Sequence, residues 1–249
     1  SSPALASLFV SAMHVLNRLM SSKQSGLIGS FREKSYLRHK TKYFLAAMIS
    51  LVIALVLSLA DSLLSFWVLF FMSRAGGLYN MKILPDGWRF QRLKDIPGSK
   101  NLSTALAWGM VTAVLPALNN SQNFNAKMAV AFIFTFILVF IRSSMSDIMD
   151  IQSDKLLGRE TIPVVIGKEK TQTLLKIILL ILLCILLISH WAGWSSTVSF
   201  FLIIPLLYIW ICFRLCDRRS GLSGAAIEGL LETIYIIAGF AVFCWLVLG

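Results

Sequence analysis

Acidic residues are scarce in this chain: 12 Asp and Glu stand against 23 Lys and Arg, for a formal charge of +11 over 249 residues. Histidine and cysteine are scarcer still, at 3 and 4. Cys184, Cys212, Cys216 and Cys244 lie in or at the end of apolar stretches, with no histidine partners at zinc-like spacing, so a structural zinc module is excluded and core packing is their reading. No linker, low-complexity tract or second compositional region divides the chain, which reads as a single membrane-embedded domain over 1–249. No cleavable-signal pattern is found at its start either. What is abundant is hydrophobicity: 57% of residues are apolar and mean hydropathy is +0.77, which no ordinary soluble domain of this length shows.

The apolar residues fall in long runs. Eight segments are expected to cross a membrane as helices, at about 3–20, 43–60, 62–80, 101–118, 127–146, 171–191, 194–213 and 225–248. Their lengths match the roughly 17–25 residues that a bilayer requires. The expected fold is therefore an all-α integral membrane bundle of about eight helices around a central cavity. The strong positive charge could suggest nucleic acid, but its distribution argues against that. If the connecting loops alternate sides, the loops near 21–42, 82–100, 148–170 and 214–224, with the helix ends beside them, carry every Lys and Arg except Lys127. Such asymmetry puts these loops in the cytoplasm and both termini outside, and anionic headgroups account for most of the charge. The long loops all lie on that side, so the chemistry is expected there. Two polar stretches, 17–42 and 147–170, each precede a long apolar helix, a hint of internal duplication.

The few acids are not scattered. Asp147, Asp150 and Asp154 stand at i, i+3 and i+7, directly after a membrane-length apolar run. On one continuous helix these offsets share a narrow face, with the outer two roughly 10 Å apart along the axis. Carboxylates crowded in this way repel unless a cation intervenes, and at a membrane edge they are functional by default. Hard oxygen donors of this kind suit Mg²⁺, which uses a few carboxylates and fills its shell with water and phosphate oxygens. Gly158 and Pro163 follow and are expected to stop the helix.

The segment Arg142-Ser-Ser-Met-Ser-Asp147-Ile-Met-Asp150-Ile-Gln-Ser-Asp154, with its tail Gly158-Arg-Glu-Thr-Ile-Pro163, resembles the second aspartate-rich motif of the UbiA superfamily of membrane prenyltransferases. Tyr79, followed by Leu93-Lys94 and then Lys100, is similar to that family's connecting-loop motif. The resemblance implies Mg²⁺-dependent transfer of a prenyl group from a polyprenyl diphosphate to a small acceptor, aromatic or lipidic, within the membrane. First guesses for the acceptor are quinone precursors such as 4-hydroxybenzoate. It further implies residence in a bacterial inner membrane, with the active site facing the cytoplasm. Asp147, Asp150 and Asp154 would hold the metal together with Asn17, and Lys94 would act beside them in catalysis. Lys94, Lys100, Arg92 and Arg142 are candidate partners of the diphosphate oxygens, with Asn17, Tyr79 and His14 as further substrate contacts. Arg142 also stands out on physical grounds, because an unpaired guanidinium more than a turn deeper than Asp147 would be expensive. Glu228 and Glu232, one turn apart near the start of the last helix, are expected to pair with Arg214, Arg218 or Arg219. Phe, Trp and Tyr, at 17, 7 and 5, could steady an allylic cation by their faces.

The resemblance weakens in its first motif. His14-Val-Leu-Asn17-Arg-Leu-Met-Ser21 carries the leading Asn, but Ser21 stands where an Asp is expected, and Lys23 follows. Three readings remain open: an active enzyme in which a lysine such as Lys23 replaces part of the missing charge, a weakened or inactive relative that binds prenyl diphosphate or lipid, or a rearrangement in which Glu33 supplies the ligand. A small-molecule transporter is the alternative of another class; charge confined to one face argues against it. The Asp-Gly…Ala-Arg…Gly…Asp…Asp pattern of CDP-alcohol phosphotransferases is not found. Ser21→Asp is expected to tighten Mg²⁺-dependent diphosphate binding in a direct binding assay; an unchanged metal dependence counts against aligning this segment with the first motif.

Overall fold

A computed structural model describes residues 3–22, 39–79, 81, 92–119, 125–217 and 224–248. Every regular element that it gives these residues is helical. In chain order they are α1 (Pro3–Ser22), α2 (Lys40–Asp61), α3 (Leu63–Leu78), a 3₁₀ turn (Leu93–Asp95) and α4 (Ser99–Gly109). A π-helical segment (Met110–Val114) then leads into α5 (Leu115–Asn119). After it come α6 (Ala126–Met149), α7 (Ile151–Leu156), α8 (Ile162–Ile166), α9 (Lys168–Trp191), α10 (Val198–Phe201), α11 (Ile203–Asp217) and α12 (Gly224–Leu248). Within hydrocarbon the backbone must satisfy its own hydrogen bonds, so long apolar runs fold as helices even where they are rich in β-branched residues.

A helix is found at each of the eight expected places, but among the described residues only six are long and apolar enough to cross a membrane: Lys40–Asp61, Ser99–Leu118, Ala126–Met149, Lys168–Trp191, Val198–Cys216 and Ala226–Leu248. The other two of the eight differ in length or composition. Helix α3 is apolar but has 16 residues, so at about 1.5 Å per residue it falls short of the hydrocarbon thickness. Helix α1 has the length, at 20 residues, but carries polar residues such as His14, Asn17 and Arg18 along it.

The chain forms two compact units. One comprises 1–96 and 110–123, and the other 97–109 and 124–249. In the first, Leu5 and Phe9 of α1 pack with Ala54, Leu69, Val111 and Leu115. Gly76 lets α1 and α3 approach closely, since a Cβ there would lie 2.2 Å from Cε of Met13. Ser58 and Ser73 donate to the carbonyls of Leu55 and Leu69 within their own helices, at 2.8 and 2.7 Å. Many large side chains of α2, among them Ile49, Val52 and Val56, are exposed, as a lipid-facing surface requires.

The second unit is built around α6. Phe134, Leu138, Ile141, Met145 and Ile148 of this helix are buried against Leu175, Leu179, Leu182 and Leu186 of α9, Ile209 and Phe213 of α11, and Leu231 and Ile234 of α12. The α9 leucines recur at helical spacing, so they form one stripe. Lipid tails are as apolar as leucine, so this packing relies on close van der Waals fit. Gly109 marks one such fit: a Cβ there would meet the Phe132 ring at 2.9 Å.

One turn sets the direction of α4. Gly98 has φ +78° and is buried, and its carbonyl accepts from Leu102 N–H at 3.0 Å. Glycine is required there twice over. An L side chain is strained in that conformation, and a Cβ would lie 2.6 Å from Cδ1 of Ile162. Gly98→Ala is expected to destabilise the protein by about 1–2 kcal/mol from the backbone alone, before the Ile162 clash is counted, in thermal unfolding. An unchanged melting temperature would show that the turn has relaxed.

Candidate functional site

The three acids sit on an interrupted helix. Helix α6 ends at Met149, Asp150 adopts φ −89° and ψ 9°, and the chain resumes as α7 at Ile151. Backbone hydrogen bonds nonetheless run on through the junction, from Asp150 N–H to the Ser146 carbonyl at 3.2 Å and from Asp154 N–H to the Asp150 carbonyl at 2.8 Å, and what divides the triad is burial. Asp147 and Asp154 are both buried, at 5% exposure each, whereas Asp150 is exposed. Helix α7 stops where glycine was expected to stop it: Gly158 has φ +64°, and Arg159 N–H returns to the Asp154 carbonyl at 2.9 Å. Pro163, by contrast, sits in the first turn of α8 and begins a helix.

Asp147 is the best-organised of the three. Its Oδ2 accepts from Asn101 Nδ2 at 2.7 Å, and its Oδ1 lies 3.7 Å from Nζ of Lys100. Asn101 is fully buried and is engaged across to α6 through both ends of its amide: Nδ2 also donates to Ser144 Oγ at 3.1 Å, and Oδ1 accepts from Ser143 Oγ at 2.8 Å. The orientation of the amide follows from chemistry, because a carboxylate only accepts and the nitrogen must face it. Ser143 and Ser144 stand four and three residues before Asp147, on the same helical face. Asn101, Ser143 and Ser144 were not among the residues expected from sequence. The available signal was a run of polar residues one turn before the acid, and an Asn directly after the motif lysine.

Asp154 lies close enough to Asp147 for the two charges to interact. Burial pushes the Asp154 carboxyl above the ordinary carboxylate range, and the charge of Asp147 pushes it the same way. The guanidinium of Arg159, whose Nη1 is 3.8 Å from Asp154 Oδ1, and the more distant Lys100 offset part of this, while Asp150 adds to it. Asp147 also stands in the last turn of α6, at the end of the helix dipole that disfavours a negative charge.

Arg142 is committed elsewhere. Its guanidinium pairs with Glu232 of α12, so it does not stand free for a diphosphate, and Glu232 is not joined to the Arg214 expected for it. Arg218 and Arg219 lie outside the described residues. Beside this pair, Trp108 of α4 and Tyr235 of α12 stack with ring centroids 6.4 Å apart and planes 18° apart. In the other unit, Tyr79 caps α3 through its backbone N–H to the Ala75 carbonyl, and half-buried Arg92 precedes the 3₁₀ turn that contains Lys94. The backbones of His14, Asn17 and Ser21 belong to α1. The side chains of these three and of Lys94, and all of Lys23 and Glu33, lie outside the described residues.

Among the described residues no three His, Cys, Asp or Glu converge as a ready-made metal cage. Mg²⁺ does not demand one, since it is commonly held by one or two carboxylates plus substrate phosphate oxygens and water. Asp147 and Asp154 fit that description: both are hard donors, buried and mutually repelling, and their cationic partners Lys100 and Arg159 are exposed and 3.7 and 3.8 Å away.

The sign of the Asp154 shift gives a stability prediction. A carboxyl whose folded pKa is raised contributes stability that is full below its unfolded pKa and is lost as pH rises through the folded value. At neutral pH the charged Asp154 therefore opposes folding. Asp154→Asn is expected to raise the melting temperature of the ligand-free protein at neutral pH and to flatten its rise on acidification. A lower melting temperature at neutral pH would mean that the Arg159 contact outweighs burial.

The model of the UbiA prenyltransferase family matches residues 38–227, which include the Asp147–Asp154 segment and the Lys94 and Lys100 loop but begin downstream of Asn17. No curated protein and no solved structure matches the chain. The match spans more than half of the sequence and carries with it membrane prenyl transfer as the general activity. On that match and on its membrane-length helices, the chain is an all-α integral membrane protein of the UbiA prenyltransferase family.

Proposed function

We propose that this protein transfers a prenyl group from a polyprenyl diphosphate to a small acceptor within the bilayer, with Mg²⁺ held by Asp147 and Asp154. The observation that carries this reading is the pair of buried, mutually repelling carboxylates at the junction of α6 and α7, with the Lys100 ammonium beside one of them. Such a pair is costly to a ligand-free protein and is stabilised by a divalent cation.

The reaction breaks the allylic C–O bond, and the diphosphate leaves with the electron pair. The acceptor attacks the resulting carbon and loses a proton. Bound Mg²⁺ supplies Lewis-acid neutralisation of the leaving diphosphate. The chain's own residues do the rest. Lys100, largely exposed beside Asp147, offers a mobile positive charge to the diphosphate oxygens. The stacked Trp108 and Tyr235 rings present aromatic faces of the kind that steady a developing carbocation. Arg142 pairs with Glu232 in the ligand-free protein, and a part for it in binding diphosphate rests on the sequence pattern. Roles for Lys94, Arg92, Tyr79, Asn17 and His14 rest on the sequence pattern alone, as do an aromatic acceptor such as a quinone precursor and a site facing the cytoplasm of a bacterial inner membrane.

A second reading is a relative that binds prenyl diphosphate but transfers poorly. It is favoured by the exposed position of Asp150 and by Ser21 in place of an acid. A transfer assay with a labelled prenyl diphosphate, Mg²⁺ and a panel of acceptors separates the two. Wild type is expected to form product only with Mg²⁺, and Asp154→Asn is expected to lose about 100-fold or more of that rate, as several kcal/mol of charge stabilisation implies, while remaining folded. Binding without product in wild type would favour the second reading; undiminished transfer by Asp154→Asn would sink the first.

A further inference from the structure

The two oxygens of Asp147 are treated differently by their surroundings. Oδ2 is held at 2.7 Å by an amide that is itself fully buried and locked by two serines. Among the described residues Oδ1 has the looser contact with Lys100, at 3.7 Å, and that lysine side chain is 70% exposed. One side of the carboxylate is thus fixed by groups with no freedom, and the other faces a charge on a long, flexible stem.

We infer that Asn101 is a positioning residue, which clamps Oδ2 of Asp147 so that Oδ1 is presented to a cation, and that Lys100 holds that place until a divalent cation displaces it. The inference rests on the metal-dependent reading above and adds to it the residue that aims the carboxylate and the residue that competes for it. Three features support it. The amide is committed to Asp147 by its serine partners, so it cannot turn away. Gly98, whose conformation starts α4, sets Asn101 within reach of α6, so the clamp depends on a turn that only glycine adopts without strain. The Lys100 contact is long and solvent-facing, which makes it exchangeable. Once displaced, the ammonium is free to meet the oxygens of a diphosphate.

The two residues should shift metal binding in opposite directions. Mn²⁺ binding to the purified full chain in detergent, followed by electron paramagnetic resonance without any prenyl substrate, reads this directly. Asn101→Ala is expected to weaken Mn²⁺ roughly 10–100-fold, the usual consequence of removing a hydrogen-bond partner from a metal ligand. Lys100→Gln is expected to tighten Mn²⁺ and at the same time to weaken the binding of inorganic diphosphate. General structural damage cannot produce the tightening. If Asn101→Ala does not fold, Ser143→Ala, which removes the donor to Oδ1 of the amide, takes its place as the test of the clamp and is expected to weaken Mn²⁺, while Lys100→Gln tests the displacement. Unchanged Mn²⁺ affinity in Asn101→Ala, or weaker Mn²⁺ binding in Lys100→Gln, overturns the inference while leaving the metal-dependent reading in place. Absence of Mn²⁺ binding in wild type overturns both.

Discussion

The arrangement depends on keeping a carboxylate buried at the end of a membrane-length helix. Asp147 is nearly inaccessible, stands at the unfavourable end of the α6 dipole, and has a second buried carboxylate nearby. Each of these conditions makes a negative charge costly. The surroundings answer with the buried Asn101 amide, two serines that lock it, and one exposed lysine. The local architecture serves the same end. The left-handed turn at Gly98 starts α4, and Gly109 lets α4 lie close against Phe132 of α6. Asp154, just past the junction at Asp150, is buried as well.

The membrane explains why these charges are few and clustered. In hydrocarbon a helix closes its own backbone hydrogen bonds, and association between helices rests on packing detail rather than on water exclusion. Within the spans Ser58 donates to a carbonyl of its own helix and Arg142 pairs with Glu232, while Nε of Arg142, Nε2 of Gln172 and Nδ1 of His190 are buried with no hydrogen-bond partner among the described residues. Lys176, within α9, sets its ammonium 5.6 Å from the centre of the Phe213 ring. Against that background two buried acids stand out, because burial and their mutual repulsion disfavour their charges more than the exposed Lys100 and Arg159 beside them offset.

Much of this was legible in the sequence, and the failures have definite causes. Apolar runs of bilayer length located the helices because hydrophobicity decides which stretches can enter a bilayer, but two of the eight lacked the length or apolarity of a span. Asp147 and Asp154 stood out by residue type and spacing, and Lys100 by its resemblance to a family motif. The unequal burial of the triad was not legible, because periodicity says which residues share a face and not which of them a neighbouring element covers. The partner of Arg142 was missed because Glu232 lies 90 positions away, and such pairing is set by how helices pack. Asn101 was missed for the same reason: its neighbours in sequence say little, while Ser143, Ser144 and Asp147, more than 40 positions on, define it.

The central claim is that Asp147 and Asp154 share a divalent cation. Crystals soaked in Mn²⁺ with a prenyl diphosphate analogue test it most directly through the anomalous signal of the metal. The account predicts a peak bonded to Oδ1 of Asp147 and to a carboxylate oxygen of Asp154, with diphosphate oxygens completing the shell. A peak that avoids both residues, or diphosphate bound there with no metal, would contradict it.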